Sequence, residues 1–132
     1  MNNTKSPKEA AEYAAKLKNS GRYNCCQAVL IALAKETSLD EETLRQLGAG
    51  FGAGMGTMEN SCGALVGASM IMGLRTNGSG TIRYSAQLSN LFASKSGSVI
   101  CKELKGRTTG KVLCPCDQCV RNAVLSYYEL VK

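Results

Sequence analysis

Along the chain, apolar residues recur at helical spacing in stretches bounded by residues that start or stop helices. Ala10, Tyr13, Ala14 and Leu17 fall on one face of a helix. Ser6-Pro7-Lys8-Glu9 opens it as a capping box with proline at the first helical position, and Asn19-Ser20-Gly21 closes it. Asn24 with Gln27 is a second capping box, ahead of Val29, Leu30, Leu33 and Ala34. Ser38 with Glu41 predicts a third helix, with Leu39, Leu44 and Leu47 as its buried stripe. The glycine-rich run from Gly48 to Gly56 then breaks the pattern.

From Cys62 to Leu74 the chain is apolar without interruption, with Gly63 and Gly67, and Ala64 and Ala68, each spaced by four. A helix apolar all round belongs in the middle of a bundle, and small residues at this spacing let backbones approach closely. This segment is therefore expected to be the central helix. Asn77-Gly78-Ser79-Gly80 is a turn, after which Thr81 caps a helix carrying Ile82, Leu88, Leu91 and Phe92 and ended by Gly97. Ser98 is the expected cap of a short helix through Val99, Ile100, Cys101 and Leu104, stopped by Gly106. A loop from Arg107 to Cys114 leads to Pro115 and to Asp117, the expected cap of a last helix using Val120, Val124, Leu125 and Tyr128. No alternating strand pattern appears. The fold class predicted is all-α, a compact bundle of five to six helices in one cysteine-rich domain spanning residues 1–132.

Composition sharpens this picture. The 132 residues suffice for one hydrophobic core without disulfide staples, and 44% apolar content with interspersed charge is globular. Thirteen apolar residues from Cys62 to Leu74 are too few to span a bilayer core of about 30 Å. Residues 1–20 are polar and charged, without the apolar run of a signal peptide, so a cytoplasmic protein without membrane association is expected. The net charge of +6 comes from scattered basic residues, with no block of five and no aromatic interleaving for base stacking. Nucleic acid is thus not an expected partner; a solvated surface or an acidic redox partner accounts for the charge.

Seven cysteines are roughly three times average usage for a cytosolic chain of this length. The predicted caps put Cys25, Cys62, Cys101 and Cys119 in the first turns of four helices. A helix N-terminus carries unpaired N–H groups and about half a positive charge, which favours a thiolate. Thiolates bind soft metals and attack disulfides, so the four helix starts form one site if they face each other. Cys26, rotated by about 100° from Cys25, is expected to be a packing residue. Cys114-Pro115-Cys116-Asp117-Gln118-Cys119 joins a C-x-C to a C-x-x-C, spacings that serve chelation or disulfide exchange. The chain has no histidine, which removes Cys-His catalysis and His-ligated zinc or haem within it. The glycine run contains GxGxxA but follows an amphipathic helix rather than a strand. It is expected to let the backbone pass close to a helix or to the cysteine site, not to bind a dinucleotide.

Tyr23-Asn24-Cys25-Cys26-Gln27-Ala28-Val29-Leu30, the segment Gly50–Gly56, Cys62-Gly63-Ala64-Leu65-Val66-Gly67, Cys101-Lys102-Glu103-Leu104 and the terminal cysteines together resemble the C_GCAxxG_C_C family of redox-active proteins. The resemblance covers nearly the whole chain. It implies a redox site whose first cysteine is Cys25, whose central one is Cys62, whose third is Cys101, and whose last is Cys116 or Cys119. The family label writes Gly before Cys, whereas this chain reads Cys62-Gly63-Ala64. Cys26, Cys114 and one of Cys116 and Cys119 exceed the family's four.

Three chemistries follow from these readings. One is an iron–sulfur cluster, most simply of the 2Fe–2S type, held by Cys25, Cys62, Cys101 and either Cys116 or Cys119 for electron transfer or redox sensing. A second is thiol–disulfide exchange in which Cys62 or Cys25 attacks, with Cys116 and Cys119 an alternative pair. The third is a structural zinc site on the same cysteines that mediates protein contacts.

Overall fold

A computed structural model describes residues 6–107 and 109–131. Residues 1–5 of the charged leading segment, Thr108 of the loop before Cys114 and Lys132 lie outside the described residues. Seven α-helices follow in chain order: α1 (Pro7–Asn19), α2 (Cys25–Ala32), α3 (Glu41–Gly48), α4 (Gly63–Arg75), α5 (Thr81–Ser96), α6 (Cys101–Leu104) and α7 (Cys116–Val131). Six of these have eight residues or more, and α6 is a single turn. Among the described residues there is no strand, only one isolated antiparallel bridge between Ser61 and Ile100. The all-α bundle expected from the periodicity is present.

Both reciprocal capping boxes form. The Ser6 hydroxyl accepts the Glu9 N–H at 3.1 Å while the Glu9 carboxylate accepts the Ser6 N–H at 2.9 Å. Asn24 and Gln27 do the same at 2.8 and 2.9 Å. Asn24 also donates its amide to the carbonyls of Gly48 and Ala49 at 3.1 and 3.2 Å, and Gln27 donates to the Arg45 carbonyl at 2.9 Å. The box that starts α2 therefore also fastens the end of α3 to it.

Four other caps differ from expectation. Asp40, not Ser38, caps α3 by accepting the Thr43 N–H at 2.8 Å. Gly80, in the left-handed region at φ +72°, precedes α5, and the Thr81 hydroxyl bonds that of Thr76 at 2.6 Å instead of capping. Ile100 precedes α6; Ser98 accepts the Ile100 N–H and bonds Glu103. The last helix begins at Cys116, before Asp117, because the Pro115 carbonyl already accepts the Cys119 N–H at 2.9 Å.

The core is formed by α2 and α7, each packed on four or more neighbouring elements. Cys25 through Ile31 are all buried, so α2 is more enclosed than α4. The expected central helix α4 is instead a wall: Val66, Met70 and Leu74, spaced by four, form its outer face. Gly63 and Gly67 point inward as the spacing suggested. A Cβ on Gly63 would lie 2.6 Å from the Phe51 carbonyl and 3.1 Å from the Cys26 nitrogen, and one on Gly67 would lie 3.0 Å from the Cys26 carbonyl. Leu47 and Ile82, expected in the core, are 49% and 84% exposed, because α3 and the first turn of α5 have no neighbour on those faces. Tyr127 and Tyr128 of α7 each donate a hydroxyl to Glu36 at 3.2 Å, and Arg75 bonds it at 3.1 Å, joining α4, α7 and the turn after α2. Among the described residues, no helix is long and apolar enough to cross a membrane.

Candidate thiol centre

Local structure brings the cysteines together. The bridge at Ser61 and Ile100 sets two chain segments side by side: the Cys62 N–H donates to the Val99 carbonyl at 2.7 Å and the Cys101 N–H to the Asn60 carbonyl at 3.0 Å. Cys62 is the residue that caps α4, and Cys101 is the first residue of α6. Close packing of α4 on α2 through Gly63 brings Cys62 to Cys25, the first residue of α2. Helix α7 packs on α1, α2 and α4 and presents Cys116, its first residue. Four helix starts thus meet.

They wall a cavity of about 370 Å³ lined by Cys25, Cys62, Cys101 and Cys116, with Lys18 and Lys105 as its cations. The glycine run encloses one side, as anticipated. Gly52 sits so close to Asn24 that a Cβ would lie 2.4 Å from its side chain, and Gly54 would place one 2.8 Å from the Cys101 Cβ. Ala53, Met55 and Met58 have φ between +50° and +65°, and Ala53 and Met58 line the cavity. Left-handed backbone at such residues costs about 1–2 kcal/mol each, a strain held here against the site.

Of the sequence-predicted residues, Cys119 lies behind the cavity wall, where its thiol meets Cys62 and Cys114. Cys26 is fully buried against the glycines of α3 and α4, as expected of a packing residue. All seven thiols are free. Among the described residues no three Cys, Asp or Glu side chains are grouped as ligands of one metal ion.

Five sulfurs are successive neighbours, Cys116, Cys25, Cys62, Cys119 and Cys114, and the direction of their pKa shifts alternates, lowered at Cys116, Cys62 and Cys114 and raised at Cys25 and Cys119. Hydrogen bonds from Cys119 and then Cys25, helped by the Ala64 N–H and the Lys105 charge, outweigh burial and bring Cys62 down to about 3. The bond from Cys25, then Lys105, brings Cys116 down to about 5. Cys114 falls to about 7, chiefly through Cys119 and then Ser96. Cys25 is raised by Cys116, Cys62 and burial, and Cys119 by Cys114, Cys62 and burial, so these two hold their protons. Burial raises Cys101 and pushes Cys26 up to about 12. Burial disfavours the Lys105 charge, but the sulfurs of Cys119, Cys116 and Cys25 more than offset it and raise its pKa. Its ammonium lies 3.8 Å from the Cys119 sulfur.

Lys18 and Lys105 are the functional candidates that sequence reasoning missed, because scattered lysines look like solvated surface. The one available signal for Lys105 was its place directly after the buried Leu104.

A helical domain that gathers four cysteines around a cavity with two lysines, two of the thiols lowered in pKa, belongs to the class of proteins whose chemistry is carried by cysteine sulfur. Residues 23–130 match the family described as "Putative redox-active protein (C_GCAxxG_C_C)", and the chain belongs to that family. No curated protein and no solved structure matches it.

Proposed function

We propose that the cavity holds an iron–sulfur centre, most simply of the 2Fe–2S type, ligated by Cys25, Cys62, Cys101 and Cys116, and that the protein transfers or senses single electrons. The observation that carries this reading is the lining of one cavity by four cysteines from four helix starts, beside two lysines. The donor set fits: iron–sulfur clusters take four thiolates, and a cationic wall offsets their negative charge. A single zinc ion draws its sulfurs to about 2.3 Å from one point. Sulfurs spread around a cavity suit a larger centre better. When bound, the cluster supplies one-electron exchange. The chain's own part is to bring the four sulfurs to one cavity, favour the thiolates of Cys62 and Cys116, enclose the site with the glycine run and set the local charge through Lys18 and Lys105.

Anaerobic purification followed by iron, sulfide and zinc analysis and visible spectroscopy tests this. About two irons and two sulfides per chain are expected, lost in Cys25→Ser and Cys116→Ser and kept in Cys119→Ser and Cys26→Ala. Colourless protein after reconstitution with iron and sulfide refutes it, and stoichiometric zinc alone replaces it with a structural metal site.

A second reading has its own observation. The Cys62 sulfur has the thiols of both Cys25 and Cys119 as hydrogen-bonding neighbours, the arrangement of an attacking thiolate beside a resolving thiol. A defined, reversible disulfide at Cys62 in the metal-free chain, with no iron uptake, favours thiol–disulfide exchange.

A further inference from the structure

Three sulfurs of the chain have no place in the cavity wall: Cys26, which packs between α2, α3 and α4, and the pair Cys114 and Cys119. Cys114 ends the loop before α7, and Cys119 lies one turn into that helix, across Pro115. The Cys119 thiol turns back over Cys114: its sulfur is 3.5 Å from the Cys114 carbonyl oxygen, and the two sulfurs are hydrogen-bonding neighbours.

The surroundings of Cys114 are polar where the bundle is otherwise apolar. Asn122 is 5% exposed and donates its amide to the Cys114 sulfur at 3.7 Å. The same amide donates to the Ser96 hydroxyl at 2.9 Å, and the Asn122 carbonyl oxygen accepts from Gln118 at 2.9 Å. Ser96 is 4% exposed and is itself a neighbour of the Cys114 sulfur. Burying an asparagine and a serine costs free energy that an apolar pair would not, so their presence has to be matched by bonds they make. The bonds they make converge on one sulfur. On the far side of the pair, the Lys105 ammonium faces the Cys119 sulfur.

We propose that Cys114 and Cys119 are a second redox site, a dithiol that a small hydroperoxide oxidises to a disulfide. This proposal does not depend on the cavity holding a cluster. Cys114 is 3% exposed and Cys119 is fully buried, so a bulky disulfide substrate does not reach them, whereas hydrogen peroxide is little larger than water. The Cys114 sulfur, held by the Asn122 amide that Ser96 positions, attacks one peroxide oxygen and gives up its proton. The O–O bond breaks, Cys114 becomes a sulfenic acid, and the departing hydroxide leaves as water after taking up a proton. The Cys119 sulfur then attacks the Cys114 sulfur, the S–O bond breaks, and the hydroxyl leaves as a second water with the Cys119 proton. Two thiols lose two electrons to one peroxide, and Lys105 stabilises the Cys119 sulfur as it sheds its proton. Once Cys119 is in the disulfide, the sulfur that neighbours Cys62 is no longer a thiol, so oxidation behind the wall changes the surroundings of a cavity cysteine.

The test uses full-length, metal-free protein treated with one equivalent of hydrogen peroxide, then alkylated and digested with trypsin. Residues 112–121 form a single tryptic peptide that holds Cys114, Cys116 and Cys119. The expected product is that peptide with one internal disulfide, Cys116 alkylated, and full reversal by dithiothreitol. Asn122→Leu, which keeps the volume and removes the donor, is expected to slow formation about tenfold at neutral pH with the circular dichroism unchanged. If that variant unfolds, Ser96→Ala serves the same comparison, with a smaller slowing expected. A disulfide that includes Cys116, or a peptide that stays fully alkylated while other thiols oxidise, overturns the proposal. Iron loading is measured on separate samples, so loss of the cluster reading and loss of this one are told apart.

Discussion

Gly63 and Gly73 lie in the same helix and should respond oppositely to alanine. Both trade glycine for a better helix former, a gain of roughly 0.5–1 kcal/mol in a helix interior and less in the first turn, where Gly63 sits. At Gly73 the new Cβ meets only the Thr81 methyl at 3.9 Å, ordinary van der Waals contact, so Gly73→Ala should stabilise by about 0.5–1 kcal/mol. At Gly63 the Cβ would lie 2.6 Å from the Phe51 carbonyl oxygen and 3.1 Å from the Cys26 nitrogen. Both are backbone atoms and neither swings aside, so α4 has to move off α2. Overpacking of this kind costs about 1–3 kcal/mol, and Gly63→Ala should fall in the upper part of that range. Urea titrations of reduced, metal-free protein followed by far-ultraviolet circular dichroism measure both, with slopes equal to the parent's if the unfolded surface is unchanged. The melting temperatures should separate by roughly 3–5 °C for each kcal/mol. Because Gly63 adjoins Cys62, the destabilised variant should also load less iron. Equal stabilities for the two variants would refute the claim that backbone approach at Gly63 positions the site.

Asn24→Ala removes the cap of α2 and two bonds to the end of α3 together, so it should cost about 2–3 kcal/mol in urea titration, against about 1 for a cap alone; a loss under 1 would contradict the tie between α2 and α3. Cys116 ionises near 5 in the folded chain against 9.0 as the free thiol. The folded state sheds that proton first, so its contribution to metal-free stability is complete above pH 9.0, shrinks as pH falls and is lost through about pH 5. Cys116→Ser should therefore flatten the rise in stability between pH 6 and 8, and an unchanged slope would count against the thiolate. Lys105→Met should move the midpoint potential of the loaded protein negative by on the order of 60–120 mV, the effect of one charge at roughly 6 Å in a medium of effective dielectric 20–40, while Lys105→Arg should restore most of it; equal potentials in all three proteins would remove Lys105 from the centre.

How much of this was legible in the sequence depended on how many residues competed for each role. Ser6 with Glu9 and Asn24 with Gln27 are reciprocal pairs with no rival nearby, and both helix starts fell where they pointed. Ser38 and Asp40 are both good caps two residues apart, and only packing of Leu44 against α2 decides between them. Ile82 has the spacing of a core residue, but no element covers the start of α5, and spacing alone does not reveal a missing neighbour. For the candidate site, Cys62 and Cys101 were readable because each stands alone at a helix start, and Cys25 because it directly follows the Asn24 cap while Cys26 is rotated away from it. Cys116 and Cys119 are three apart on one helix, so tertiary placement of α7 decides which one faces the cavity. Asn122 and Ser96 left no local signal, since nothing in a helical pattern tells a buried amide from an exposed one.

The cavity wall draws one sulfur each from α2, α4, α6 and α7, elements that follow one another along most of the chain. A chain that stops before Cys116 holds three of the four sulfurs and lacks the helix that supplies the fourth. On the reading proposed above, such a chain would have cysteines but an incomplete site, and loading would become a test of completed folding. If the cavity takes up the proposed cluster, the wide separation of the four thiols along the chain would act as quality control, because the cluster would find all its ligands only where residues 25 to 116 have packed together.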